Sequence, residues 1–180
     1  METKPIPLKL IVVVAVAALV SLSALGAEDD CLIHEGIVTA PLEDVWTAFT
    51  TKLGQESWMV AHSEVDLKIG GLMQTHYDSN GNIGDSKTIE NTIICYEPKR
   101  MFSIKVSKVP EGFPFPNAIK QMWTVIYFEP DGPNSTDVRI VSLGFSDNDE
   151  SNRMRAFFDH GNAFTLKKLQ ERFALKPSVK

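Results

Sequence analysis

The chain is poor in cysteine and histidine, and that poverty narrows its chemistry. Two Cys among 180 residues cannot build the disulfide framework that staples small secreted domains. The four histidines, His34, His62, His76 and His160, include no i, i+4 pair and no His-Glu-x-x-His run, so no metal-binding helix is encoded. A Gly-x-Ser-x-Gly elbow and a phosphate-cradling glycine loop are also missing. No motif therefore asks for a metal or a cofactor. Basic runs are absent and the net charge is −5, which argues against nucleic acid as a partner, because such a binder must neutralise phosphates in bulk. There is no internal repeat and no low-complexity tract. With 43% hydrophobic and 23% charged residues, what remains is a globular chain with room for one ordinary domain.

Residues 1–27 differ in kind from the rest. Lys4 and Lys9 make a positive start, Leu10 to Val20 is unbroken and apolar, and Ser21, Ser23, Ala24, Gly26 and Ala27 bring in small residues before Glu28-Asp29-Asp30. That order reads as a secretory signal peptide. The expectation is an exported protein, periplasmic or secreted, with one domain over 28–180. The alternative is an uncleaved anchor, since Leu10 to Ala27 approaches the ~20 residues of a membrane span; the membrane would then be touched through this segment alone. Export permits a Cys31–Cys95 disulfide, but each Cys sits in an apolar strand pattern, which favours two separate buried thiols.

Cys31 to Val38 reads as a strand. Pro41, Glu43 and Asp44 then suit a helix start, and Leu42, Val45, Trp46 and Phe49 fall on one helical face that Gly54 would end. From Ser63 the period changes to two: Val65, Leu67 and Ile69 alternate with charged residues up to the turn Gly70-Gly71. Further strands are expected at Leu72 to Asp78, Thr88 to Tyr96, Phe102 to Val106, Gln121 to Glu129 and Thr136 to Phe145. The prolines of Pro110-Glu111-Gly112-Phe113-Pro114-Phe115-Pro116 forbid a regular element there. One long helix, Glu150 to Ala174, closes the chain, with Met154, Phe157, Phe158, Phe164, Leu166, Leu169 and Phe173 as its apolar face. A sheet of hairpins needs one face covered, and only this helix is large enough. The expected class is α+β: a curved antiparallel seven-stranded sheet wrapped around a long C-terminal helix, with one or two short helices after strand 1.

Three segments carry a family resemblance: Ala40-Pro41-Leu42-Glu43-Asp44-Val45-Trp46-Thr47-Ala48-Phe49-Thr50, Val65-Asp66-Leu67-Lys68-Ile69-Gly70-Gly71 and Tyr96-Glu97-Pro98-Lys99-Arg100. With them the chain resembles, over roughly residues 32–173, the SRPBCC or START-like helix-grip superfamily, in the branch similar to the activator of the heat-shock chaperone ATPase. The resemblance implies a cavity between sheet and C-terminal helix that holds lipids, polyketides or other apolar molecules. Some members of the superfamily are cyclases or dehydratases, and others only bind. The branch's co-chaperone role is intracellular, and an export signal argues against carrying it over. The Pro-Phe loop at 110–116 is longer than the family suggests. It reads either as a lid or as a loop packing its own Phe residues.

A fold is not an activity, so the site is argued from residues. The expected cavity walls are Trp46, Phe102, Ile104, Trp123, Tyr127, Phe157, Phe158 and Phe164, with His76 or Asn91 as the orienting polar contact. His76 and Tyr77 are strand neighbours, so one of the two points inwards; Asn91 is in phase with Ile89 and Ile93. The leading expectation is a binder of a small apolar ligand. Two alternatives stand beside it: a cyclase, dehydratase or isomerase using an acid/base such as His76 in the same cavity, and a module with a protein partner. No catalytic residue is assigned.

Overall fold

The computed structural model describes residues 31–174, so the leader expected at 1–27 lies outside the described residues. The elements are β1 (Cys31–Val38), α1 (Leu42–Thr50), α2 (Lys52–Glu56), β2 (His62–Val65), β3 (Leu72–His76), β4 (Ile89–Glu97), β5 (Met101–Lys108), a 3-10 turn at Ala118–Lys120, β6 (Trp123–Pro130), β7 (Thr136–Leu143) and α3 (Asp149–Phe173). The strands form one curved antiparallel sheet in the order β1-β7-β6-β5-β4-β3-β2. This is the α+β arrangement read from the sequence, with the long helix on the concave face.

Local chemistry accounts for the boundaries, with some departures from the reading above. Gly54 does not end α1. Thr51 does, by adopting an extended backbone and capping α2, its hydroxyl accepting from the Gly54 N–H at 3.0 Å. The alternation of Val65, Leu67 and Ile69 is real in the sequence, yet β2 stops at Val65. A compact turn takes over, with Gly70 at φ +80° and the Asp66 N–H bonded to the Leu72 carbonyl at 2.9 Å. Ile69 is therefore 69% exposed. α3 starts on Asn148, whose side chain accepts from the Ser151 N–H at 3.0 Å. Its first-turn Glu150 accepts the N–H groups of Ala118 at 3.1 Å and Asn117 at 2.9 Å. These two bonds hold the Glu150 carboxyl below its ordinary range and clip the helix start to the 3-10 turn.

A bulge in β4 decides the cysteines. Ile93 pairs with Ile104, but Cys95 pairs with Ser103, so the ladder shifts at Ile94. The shift turns Tyr96 inwards opposite Phe102 and leaves Cys95 exposed, while Cys31 is half-buried. Neither thiol is buried, contrary to expectation. They are also not bonded, since β1 and β4 stand four spacings of ~4.8 Å apart.

Two packed clusters flank the middle of the concave face. Trp46 and Phe49 of α1, Phe102 of β5 and Phe128 of β6 interlock, with Trp46–Phe128 and Phe49–Phe128 centroids both at 5.4 Å. Leu166 and Leu169 of α3 complete that cluster. At the other end Phe115, Ile119, Met122 and Met154 form a smaller one. α3 lies along the β1 edge, where Arg155 donates to the Cys31 carbonyl and Gln170 to the Ile37 carbonyl. Its broad apolar face is only partly used: Phe157 is 52% and Phe164 62% exposed.

Candidate ligand-binding cavity

Between the two clusters the concave face is not filled. A cavity of about 520 Å³ lies there, within the ~300–1,000 Å³ usual for sites that hold one small organic molecule. Its floor is the inward row of the sheet, including Met73 and Thr75 of β3, Ile89 and Asn91 of β4, Phe102, Ile104 and Val106 of β5, and Thr124 and Ile126 of β6. One side is Gln55, Trp58 and Met59 at and after α2, and the other is Val109, Pro110 and Phe113 of the Pro-Phe loop. The roof is α3, through Phe157, Phe158, Gly161, Asn162, Phe164, Thr165 and Lys168.

The roof has a void in it for a simple reason. Phe157, Gly161, Phe164 and Lys168 follow the i, i+4, i+7, i+11 helical period, and the residue at the centre of that stripe has no side chain. A Cβ built at Gly161 would meet no atom within 4 Å. The Pro-Phe loop answers both alternatives raised for it: Phe115 packs in the core, while Phe113 turns to the cavity, 5.6 Å from Phe115 and 6.1 Å from Phe157.

Polar groups in the walls fall into two sets. Gln55 is fully buried and satisfied, donating to the Phe49 carbonyl at 2.6 Å and accepting from the Ser63 hydroxyl at 2.6 Å. Asn162 donates to the Ser142 hydroxyl at 3.0 Å. In contrast, the side chains of Thr75 and Asn91, on adjacent strands of the same face, have no hydrogen-bond partner among the described residues. They are free to orient a guest.

Seven of the ten residues singled out from the sequence line this space: Asn91, Phe102, Ile104, Trp123, Phe157, Phe158 and Phe164. Three do not. Trp46 is spent in the aromatic cluster, edge-on to Phe102 and Phe128. Tyr127 faces the convex side, where the Arg139 guanidinium sits 5.9 Å from its ring centroid. His76 is the more consequential correction, because the inward member of the His76–Tyr77 pair is Tyr77. His76 is 1% exposed on the other side of β3. Its Nδ1 accepts the Asp78 N–H at 3.1 Å and its Nε2 donates to Asp85 Oδ1 at 3.0 Å. It is a loop anchor, and among the described residues the cavity walls hold no Asp, Glu or His. The residues that sequence reasoning missed are chiefly Phe49, Thr75 and Lys168. The last was legible as the end of the helical stripe, but only once the stripe was known to face a void.

Residues 39–174 match the family described as Activator of Hsp90 ATPase homolog 1-like protein. The chain belongs to that family. Among solved structures, the Aha1 dimer from Colwellia psychrerythraea superimposes with a TM-score of 0.63 at 15% identity, over 82% of this chain and 98% of that one. The protein MLL2253 from Mesorhizobium loti gives 0.61 at 17% identity, over 79% and 95%. CalU16 from Micromonospora echinospora gives 0.58 at 19% identity, over 80% and 76%. At such identities these likenesses show the fold alone. A search of curated proteins found no match. Family membership is compatible with holding a small ligand or engaging a protein. Among the described residues there is no cluster of His, Cys, Asp or Glu suited to a metal ion. No helix among them is long and apolar enough to cross a membrane.

Proposed function

We propose that this protein is exported and holds one small apolar ligand in the cavity between the sheet and α3. The observation that carries the reading is the unfilled 520 Å³ space itself, walled by apolar side chains and opening past Tyr77, Phe157 and Phe164, all more than half exposed. Covering such a surface with hydrocarbon releases about 25 cal/mol per Å² of apolar area removed from water. Asn91 and Thr75 supply the few polar points that set orientation. Catalysis by general acid/base is disfavoured, because the imidazole suggested for it lies on the opposite side of β3.

Native mass spectrometry of the protein purified from the exported fraction tests both halves. The expected result is a chain that starts near residue 27 or 28 and carries a solvent-extractable mass. Gly161→Phe, which places a ring in the open centre of the roof, should remove that mass. A protein that stays apo with its own extract, and with a panel of apolar probes, would sink the binding reading.

A protein-interaction module is the second reading. It draws on the family description and on Leu53 and Ile69, which are 78% and 69% exposed outside the cavity. A stoichiometric partner that survives Gly161→Phe and is lost with Leu53→Ser would favour it.

A further inference from the structure

The cavity is apolar, but its mouth is not neutral. Lys168 is the only charged side chain among the described residues that line it. Its surroundings on α3 are otherwise paired: Lys167 reaches Glu171 at 3.8 Å, and Arg172 donates to the Ser57 hydroxyl at 3.3 Å. Lys168 has no ion pair and no hydrogen bond among the described residues. Its ammonium instead stands 5.6 Å from the ring centroid of Phe164, one of the exposed aromatics of the rim. A cation–π contact holds an ammonium in place without consuming its donors. The other polar members of this face are occupied, since Thr165 donates to the Gly161 carbonyl at 2.8 Å and Asn162 to Ser142. One cation with free donors therefore sits at the edge of an apolar space that contains no carboxylate.

From this arrangement we infer that the ligand is a single-chain anionic amphiphile, with its hydrocarbon in the cavity and its acidic head on Lys168. The inference rests on the binding reading above and adds the class of ligand. Size agrees: about 520 Å³ falls within the ~300–1,000 Å³ of sites that hold one small organic molecule, and one alkyl chain is such a molecule. Charge agrees as well, because a carboxylate or phosphate monoester at the rim stays hydrated on its outer side while meeting Lys168 on the other. Such a head avoids the cost of burying an ion. A cationic head would meet the ammonium as a like charge.

The test is a matched set of ligands: hexadecanoic acid, hexadecanol, hexadecylammonium and a single-chain lysophosphatidic acid, each titrated against the protein and against Lys168→Gln and Lys168→Arg. The expected result is tighter binding of the acid than of the alcohol. Lys168→Gln should weaken the acid by about five- to tenfold, the range of a charge-assisted contact at a wet rim. It should leave the alcohol unchanged, and Lys168→Arg should restore the acid. A preference for the lysophospholipid over the free acid would place the head's source in a lipid, and the reverse in a free acid; each supports the inference. Equal binding of acid and alcohol, indifferent to Lys168→Gln, overturns it while leaving the cavity reading intact. If none of the four binds, and Gly161→Phe changes nothing, both fall together.

Discussion

The concave face of one sheet carries two regions built from the same kinds of residue, and they behave in opposite ways. Around Phe128 the aromatic rings of Trp46, Phe49 and Phe102 close on one another with 5.4–6.2 Å between centroids. Around Gly161 the rings of Phe157 and Phe164 stand on the rim of a 520 Å³ space. Composition does not separate the two. What separates them is a second helix: α1 presses Trp46 and Phe49 into the first region, whereas over the second the roof is α3 alone, which leans towards β1 and has a glycine at its centre. An apolar face becomes core where another element supplies the opposing side chains, and a pocket where none does.

Substitutions should divide along that line. The largest effect is expected from Phe128→Ala, which opens a hole in packed rings and should cost about 3–5 kcal/mol in chemical denaturation; a loss under 1 kcal/mol would mean the cluster is as loose as the cavity. His76→Ala comes next. It leaves the Asp78 N–H without its partner, removes one of the bonds to the Asp85 carboxylate and should cost about 1–3 kcal/mol, with ligand affinity untouched, because His76 lies outside the cavity. Were affinity to collapse without loss of stability, the loop-anchor role would be wrong. Gly161→Leu should be neutral or up to about 1 kcal/mol stabilising, since glycine is a poor helix residue and the new side chain meets open space. A marked destabilisation there would show that the space is not open.

The smallest effect concerns pH. The N–H groups of Asn82 and Lys87, helped by His76, hold the Asp85 carboxyl down to about 2. A group harder to protonate when folded stabilises fully above its unfolded value of ~3.9 and loses that contribution as pH falls towards its folded value. Stability measured from about pH 5 down to 2 should therefore fall less steeply in Asp85→Asn than in the parent. Parallel curves would remove Asp85 from the account of the 78–88 loop.

Much of this was readable from the chain. The helix start at Pro41 and Glu43, the hairpin turns at Gly70-Gly71 and Glu97-Pro98, and the proline barrier at 110–116 are local chemistry, and local chemistry is written in order. The candidate site was readable in part, because period-two and period-3.6 patterns say which side chains share a face. They failed where a non-local choice intervened. A one-residue bulge at Ile94 reversed the facing of Cys95, and the turn at Asp66–Gly71 took Ile69 out of its strand. His76 and Tyr77 alternate, and which one looks inwards depends on the register of β3 against β4.

The sequence by itself determined the α+β class, the order of strands and helices, and the family. Those follow from hydrophobic period and turn residues, which act over a few neighbours at a time. Only the tertiary structure decided that Trp46 is core while Phe157 is rim, that His76 holds a loop, and that Lys168 stands over Phe164 at the mouth of a void. A void is a property of the gap between elements distant in the chain, so no single stretch of residues records it.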